Sequence, residues 1–215
     1  MRVRRTQGER SEETRNRILS AAIELMNKRG YAGFRVIEVM EIAGLSRGAQ
    51  LHHFRTKDEL ISAALVRVFA IAKNEVQARV AKMRMNPSCS ASDIVDFVID
   101  DACQFFFSDN FKFALDMTLV GSRDLKVAQM ARETISREAQ PNEDVWIDIL
   151  KETGLDDEFA RDAICFLRSI VRGLMIRSLT MTGGNQQKRV ITMARDMLLD
   201  RIATQQGKGE RKAAC

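Results

Sequence analysis

Apolar residues recur at helical spacing along nearly the whole chain, which contains only two prolines. Ile18, Ala22 and Leu25 form one stripe of a helix predicted over residues 14–29, and Gly30 is placed to end that helix. Because similar spacing continues to about residue 205, the sequence predicts an all-α protein.

A second, shorter helix is predicted after a brief connection. Val36, Val39, Met40 and Ala43 fall at positions i, i+3, i+4 and i+7, so four apolar side chains share one helical face. Gly44 follows and can adopt the left-handed conformation that ends many helices. The segment is therefore expected to be a short amphipathic helix with a defined end.

A third helix is predicted to be shorter still. Ser46 is placed as its N-cap, and the segment extends only to Phe54. Two short helices joined by a turn that contains glycine are the pattern of a helix-turn-helix. Together with the helix over residues 14–29, they would form a three-helix head.

The rest of the chain is predicted to form a larger helical body. Thr56 and Glu59 match a capping box at the start of a long helix that runs to about Met85. Pro141 is expected to kink or split a later helix, because proline removes one backbone hydrogen bond and clashes with the preceding turn. The five later helices are predicted from Ser90 or Ser92 through Phe107, from Phe111 to about Val120, from Ser122 to Lys151, from Asp156 to about Met181, and from Asn185 to about Gln205.

The positive charge of the chain is concentrated at its amino-terminal end. The formal net charge is +5, and residues 1–57 contain 12 Lys and Arg against 6 Asp and Glu, whereas residues 58–215 contain 22 against 23. A basic excess confined to one small segment is typical of nucleic-acid-binding regions, because each neutralised phosphate releases counterions. A solvated basic helix face is the alternative interpretation of the same charge.

Several classes of function find no support in the sequence. The only histidines, His52 and His53, are adjacent, so they point in different directions on a helix and cannot chelate one metal ion. No nucleophile with a nearby base and no glycine-rich phosphate loop is evident, so we expect no cofactor and no enzymatic activity. No apolar run of about 18 residues occurs, and we expect a cytoplasmic protein with no membrane partner. The four cysteines, which form no close pair typical of a metal or redox motif, are Cys89, Cys103, Cys165 and Cys215.

The segment from Gly44 to Lys57 has the properties of a helix that enters the major groove of DNA. Such a helix needs apolar anchors on one side, for which Leu45 and Phe54 are suited, and polar or small side chains on the other. Gly48 would allow a close approach of the backbone. The side chains left to face DNA are Arg47, Ala49, Gln50, His52 and His53, of which Arg47 is placed to bind a guanine edge.

The head resembles that of the TetR family of regulators. The family pattern is a helix that ends in a glycine and an aromatic residue, then a short helix that ends Ala-Gly-(small apolar)-Ser, then x-Gly-x-Leu-Tyr-x-His-Phe-x-x-Lys. The resemblance covers about residues 14–60. The matching residues, at the same spacing, are Gly30-Tyr31, Ala43-Gly44-Leu45-Ser46, Gly48, His53-Phe54 and Lys57.

This resemblance implies roles for individual side chains. His53 is similar to a phosphate-contacting histidine of the family, and Lys57 to a lysine that binds phosphate from the start of the long helix. Arg47, Ala49 and His52 would face the groove. The predicted DNA-binding set is completed by Ser46, Gly48 and Arg35, which replaces the usual Thr or Ser at the start of the second helix.

Within the third helix, the chain departs from the family pattern at two positions. Gln50 and Leu51 stand where the family has Leu and then Tyr, so the polar and apolar residues are exchanged. Either Gln50 binds an adenine while Leu51 contacts a thymine methyl group or packs inward, or the short helix is rotated. We take a base-contacting Gln50 as the working hypothesis.

The last two long helices are predicted to form a homodimer interface. Their apolar stripes are too wide for one core contact, and two helices from each subunit would make a four-helix bundle. Packing within one subunit is the alternative. The predicted interface residues are Phe166, Ile170, Leu174, Ile191, Ala194 and Leu198.

A small apolar effector is expected to bind within the middle helices, where Phe105, Phe106, Met117, Trp146 and Met175 are candidate pocket residues. Aromatic and Met residues at helical spacing more often belong to the hydrophobic core, which is the alternative interpretation of these five residues.

The expected function is sequence-specific transcriptional regulation, as a repressor that the effector releases from a palindromic double-stranded operator. The alternative is a lipid or apolar-metabolite binding protein of the same fold that does not bind DNA.

The predicted organisation has four segments. A flexible basic arm over residues 1–13 precedes the DNA-binding head over residues 14–56. Residues 57–206 form the body for effector binding and dimerisation, and residues 207–215 form a disordered charged tail.

Overall fold

A computed structural model describes residues 6–85, 89–120, 125–181 and 184–213, except for the side chains of residues 47, 120 and 208–213. Within these ranges the chain is helical and contains no strand, as the apolar spacing predicts. None of the helices in this part of the chain is both long and apolar enough to cross a membrane. The helices are α1 (Gln7–Gly33), α2 (Val36–Ala43), α3 (Arg47–His53), α4 (Lys57–Arg84), α5 (Ala91–Phe106), α6 (Asp109–Val120), α7 (Leu125–Lys151), α8 (Asp157–Ser178) and α9 (Gly184–Ala213).

The first helix begins earlier than predicted. Thr6 and Glu9 form a capping box, in which the Thr6 hydroxyl accepts a hydrogen bond from the Glu9 N–H (3.2 Å) and the Glu9 carboxylate accepts one from the Thr6 N–H (2.7 Å). The prediction of a flexible arm is therefore wrong for residues 7–13, which are helical. Residues 1–5 of that arm lie outside the described residues.

Gly30, the predicted end of the first helix, kinks α1, which ends three residues later at Gly33. Gly30 has φ 62° and ψ −177°, which lies outside the helical region, and one short helical turn over residues 31–33 follows it before Phe34. The Phe34 N–H donates to the Tyr31 carbonyl (3.2 Å). Because side chains clash with the backbone at positive φ, glycine fits this position better than any other residue.

Gly44 ends α2 as predicted and shapes the turn of the helix-turn-helix. It adopts the left-handed conformation (φ 62°, ψ 41°), and the N–H groups of Gly44 and Leu45 donate to the Glu41 and Met40 carbonyls. This arrangement is a Schellman motif. Arg17 of α1 also donates to the Ala43 carbonyl (2.6 Å), which fixes the end of α2 against the first helix.

The caps of the later helices largely follow the predicted pattern. The Thr56 hydroxyl accepts from the Glu59 N–H (3.0 Å) at the start of α4. Ser90 forms a capping box with Asp93 before α5, and Asp156 accepts from Phe159 N–H before α8.

Of the two outcomes predicted for Pro141, a kink or a split, the split does not occur, since α7 is helical from Leu125 to Lys151. Pro141 has no N–H, so the hydrogen bond to the carbonyl one turn earlier is missing, while the surrounding helical bonds remain. At the other end of the chain, α9 extends to Ala213, so the predicted disordered tail is wrong for residues 207–213. Glycine disfavours a helix by about 1 kcal/mol relative to alanine but does not forbid it.

The described chain forms two compact units, whose boundaries differ from the predicted domains. One unit contains Met1–Ile71 and Asp109–Ala139, and the other contains Ala72–Ser108 and Gln140–Cys215. We call them the head unit and the body unit. Because α6 packs against α1 inside the head unit, this unit extends beyond the predicted head over residues 14–56.

Each unit has a buried apolar interior of its own. In the head unit, Phe34 and Phe54, which flank α2 and α3, are almost fully buried, as are Val39 and Met40 of α2. In the body unit, α5 packs against α8 and α9. The centre of the body unit is one apolar cluster built from the second half of α4, α5, the second half of α7, α8 and α9.

Candidate nucleic-acid interface

The surface of α3 is divided into a buried side and an exposed side. Gly48, Leu51 and His52 are exposed, while Ala49 is half-buried. Phe54, directly after the helix, is buried, as expected for an apolar anchor. The exposed side therefore presents a glycine, an apolar side chain and an imidazole within five residues.

Gln50 does not lie on the exposed side, so its predicted role as a base-contacting residue is wrong for this structure. Its side chain is 5% exposed, and its amide donates to the Phe54 carbonyl (2.6 Å) at the end of α3. Leu51 is 57% exposed and occupies the outward position instead. Consecutive helical residues point about 100° apart, so Leu51 can face outward although Gln50 is buried.

His53 and Lys57 lie beside this surface, one at the end of α3 and one at the start of α4. The pKa of His53 is lowered by burial, and further by His52 and Arg15, which favours the neutral imidazole. A neutral imidazole still donates one hydrogen bond, which is sufficient for a contact with a phosphate oxygen.

The ammonium group of Lys57 is held against two aromatic rings. Its Nζ lies 4.4 Å from the centre of the Tyr31 ring and 5.5 Å from that of Phe34, within the range of cation–π contacts. Burial lowers the pKa of Lys57, and the nearby positive charge of Arg35 lowers it further. The lysine is therefore oriented before any partner binds.

Arg35 and Ser46 also occupy the predicted helix starts, without capping them. Arg35 lies at the N-cap of α2 and is exposed, and its guanidinium donates to the Ala32 (2.9 Å) and Phe34 (3.1 Å) carbonyls. Ser46 lies at the N-cap of α3, but its hydroxyl makes no cap hydrogen bond. Arg47 is the first residue of α3, and its side chain lies outside the described residues.

Comparison with known proteins gives the relationship of this chain. A family model described as bacterial regulatory proteins of the tetR family matches residues 18–64. The HTH-type transcriptional regulator CymR of Pseudomonas putida is 34% identical over 200 residues, which cover 93% of this chain and 96% of CymR. The chain belongs to the TetR family of bacterial regulatory proteins.

Solved structures of low sequence identity share the fold of this TetR-family regulator. A structure from Mesorhizobium loti, described as a TetR-family transcriptional regulator, has a TM-score of 0.69 at 14% identity and covers 91% of this chain and 98% of that chain. The multidrug-binding protein EbrR in complex with ethidium has a TM-score of 0.58 at 22% identity and covers 85% and 98%. The fold is therefore a helix-turn-helix DNA-binding head followed by a larger helical body, and the protein is a DNA-binding transcriptional regulator.

Four of the five candidate effector residues of this TetR-family protein lie in the body unit. Trp146, Phe106 and Met175 are buried, and Phe105 is half-buried. The fifth, Met117, is buried in the head unit. The five residues are thus divided between two units, which their sequence positions did not reveal.

A charged network that the sequence did not indicate lies beside these aromatic residues. The buried Asp101 carboxylate accepts hydrogen bonds from the Trp146 indole N–H (3.1 Å) and from Arg168 (3.1 Å), and Arg79 lies 3.8 Å away. The Arg168 guanidinium lies over the Phe106 ring, with its Cζ 5.1 Å from the ring centre. Helical spacing carries no signal for such a network, because its members come from α4, α5, α7 and α8.

The candidate dimer residues do not share one exposed surface. Ala194 and Leu198 are buried in their own subunit, and Leu198 belongs to the apolar cluster of the body unit, with Ile191 packed against it. Ala194 and Leu198 are therefore not available to a partner subunit, because α9 packs them against its own core, whereas Ile191 is half-buried and stays a prediction. The α9 stripe that remains exposed contains Met193 (58% exposed) and Met197 (56%). On α8, Phe166 is exposed, while Ile170 and Leu174 are half-buried.

Proposed function

We propose that this regulator is a repressor that binds a palindromic operator as a homodimer, with α3 in the major groove, and that a small apolar effector releases it. The observation that carries the proposal is the exposed side of α3, bounded by His53 and by the aromatic-supported Lys57. A recognition helix needs this combination of base-facing and phosphate-facing groups.

The phosphate contacts are assigned to the cationic and polar groups at the edges of α3. Lys57, Arg35 and His53 contact backbone phosphates and set the register of the helix, together with Ser46. Base contacts come from His52, Leu51 and Arg47, with Gly48 and Ala49 allowing close approach. Phosphate contacts give affinity and salt dependence, whereas base contacts give specificity.

Salt dependence tests the Lys57 assignment. In a dimer, Lys57→Gln removes one phosphate contact at each half-site, and therefore two in total. At about 0.9 per phosphate, the slope of the logarithm of the association constant against the logarithm of the salt concentration should become shallower by about 1.8. Lys73→Gln, an exposed lysine of the same helix, is the matched control and should leave the slope unchanged. The measurement is a fluorescence anisotropy titration on an operator selected from the source genome, at several salt concentrations. An unchanged slope for Lys57→Gln would refute the assignment, and the absence of any salt-dependent binding by the unaltered protein would favour the metabolite-binding alternative.

Leu51 is assigned to a thymine methyl group in the major groove. If so, replacement of that thymine by deoxyuridine, which lacks only the methyl group, should weaken binding by about 4-fold, the equivalent of about 0.8 kcal/mol for one buried methyl. Leu51→Ala should bind both DNAs alike. A His52→Ala protein, altered at the neighbouring exposed residue, should still distinguish them. If no thymine of the operator responds in this way, Leu51 does not contact a methyl group.

The homodimer is assigned to the exposed apolar side chains of α8 and α9. Phe166, Met193 and Met197 are large apolar residues that a monomer would leave in water. A second copy of the same surface covers them in a symmetric interface. Two half-sites on a palindromic operator match such a dimer.

The effector is assigned to the body unit. Its interior combines aromatic side chains with a buried polar atom, Asn142 Oδ1, that has no hydrogen-bond partner in the described part of the chain. Arg168 Nε makes no hydrogen bond there either, but it forms an ion pair with Glu143 Oε1 at 3.3 Å. Apolar pockets with a few polar groups are typical ligand sites. EbrR, which shares the fold, binds ethidium. Fluorescence of Trp146, the only tryptophan of the chain, reports on compounds that bind beside it.

A further inference from the structure

The short turn that follows Gly30 and leads into α2, residues 31–34, is attached to α6 by one carboxylate. Asp116 Oδ2 accepts a hydrogen bond from the Tyr31 N–H at 2.6 Å, across 85 residues of sequence, and both residues belong to the head unit. Since α6 packs along α1, the carboxylate is supported by a helix pair. A charged acceptor on a backbone N–H makes a stronger hydrogen bond than a neutral one.

The glycine beside this hydrogen bond is matched to the carboxylate. A Cβ atom at Gly30 would lie 3.0 Å from Asp116 Oδ2 and 3.6 Å from its Cγ. Gly30 also has a positive φ, so a side chain there would be strained in addition to being crowded. The absence of a side chain at Gly30 therefore lets the Asp116 carboxylate reach the Tyr31 N–H. The resulting hydrogen bond stabilises the turn in this conformation.

The same turn supports the two cations assigned to phosphate. The Tyr31 and Phe34 rings lie under the Lys57 ammonium group, and the Ala32 and Phe34 carbonyls accept from Arg35. A change in the path of the turn would therefore move the supports of both side chains together.

We propose that Asp116 is a positioning residue for DNA binding, which acts by holding the turn that orients Lys57 and Arg35. The proposal rests on the proposed function, in which these cations contact phosphate. The proposal predicts that removal of the Asp116 carboxylate weakens operator binding, whereas electrostatics alone predicts the opposite, because loss of a negative charge near DNA should strengthen binding. The sign of the effect therefore separates positioning from charge.

Three substitutions at Asp116 separate geometry from charge. Asp116→Ala removes the acceptor and should weaken operator binding by about 10-fold, the loss of roughly one charged hydrogen bond. Asp116→Asn keeps an oxygen acceptor and loses the charge, so it should bind at least as well as the unaltered protein. Asp116→Glu keeps the charge but needs room for one more methylene against Gly30, so it should bind more weakly. Asp109→Ala, an exposed carboxylate of the same helix that pairs with Lys112, is the control and should not weaken binding.

The measurement is the anisotropy titration against salt, with circular dichroism as the check of folding. In a protein that already carries Asp116→Ala, the further change Lys57→Gln should weaken operator binding much less than Lys57→Gln does in the unaltered protein. The reason is that Asp116 is proposed to act by orienting Lys57 through the same turn. If Asp116→Ala does not fold, the comparison of Asp116→Asn with Asp116→Glu decides by itself. Two results would overturn the proposal, provided that the unaltered protein binds DNA. One is an Asp116→Glu protein that binds the operator as tightly as the unaltered protein. The other is an Asp116→Asn protein that binds as weakly as Asp116→Glu. If the unaltered protein shows no salt-dependent binding, the proposed function fails and this inference fails with it.

Discussion

Replacement of Asp101 by alanine is expected to lower the free energy of unfolding by about 3–5 kcal/mol, the usual cost of leaving a buried charge without its partner. The Asp101 carboxylate is the common acceptor for the Trp146 indole N–H and the Arg168 guanidinium. Arg168 is 8% exposed, so water cannot replace the lost carboxylate. Its remaining acid partner, Glu143, lies 3.3 Å from Nε and is partly exposed.

Urea denaturation at a fixed protein concentration measures this effect. Asp101→Asn should have an intermediate effect, because it keeps an acceptor for the indole N–H and loses the charge. Asp109→Ala serves as control, since its exposed pair with Lys112 should contribute no more than about 1 kcal/mol. A loss below about 1 kcal/mol for Asp101→Ala would show that the network does not stabilise the body unit.

The second large effect is expected when Met193 and Met197 are both replaced by aspartate. In the proposed dimer these side chains are covered by the partner, and a buried unpaired carboxylate would oppose association. The resulting monomer should bind the operator about 10²–10⁴-fold more weakly, because the second half-site is no longer bound as an intramolecular event. Its helix content should remain, since both methionines are exposed in the monomer.

Sedimentation equilibrium gives the mass of the double variant, and a gel shift gives its operator affinity. Met85→Asp is the matched control: Met85 is also highly exposed, but it follows the end of α4 and lies outside the proposed interface. That control should remain dimeric and bind DNA normally. A dimer that persists in the double variant would place the interface on another surface.

Local sequence signals predicted much of the helical framework. Gly30 and Gly44 interrupt the helices where expected, because their backbone conformations are decided within a few residues. Thr56 and Asp156 cap α4 and α8 for the same reason. Capping and turn formation depend on neighbours in the chain, so they can be predicted without knowledge of packing.

The ends of the chain show where composition misled. Residues 7–13 are polar and were expected to form an arm, although Thr6 and Glu9 have the spacing of a capping box. The charged segment after Gln205 likewise remains in α9. A polar segment can form a solvated helix when it continues a helix that is already nucleated, because only nucleation is costly.

The amino-acid sequence by itself determined the all-helical class, the helix-turn-helix and the basic character of the head, since these follow from periodicity, local caps and charge. Only the tertiary structure decided which side of each helix is buried. Gln50 turned inward and Leu51 outward, and α9 faced its own core with Leu198 and left Met193 exposed. The contacts of Asp116 with Tyr31 and of Asp101 with Arg168 also depended on tertiary structure, because each joins residues more than 60 positions apart. A helix with apolar residues on more than one side has no local preference for either, and the choice is made by the surfaces that pack against it.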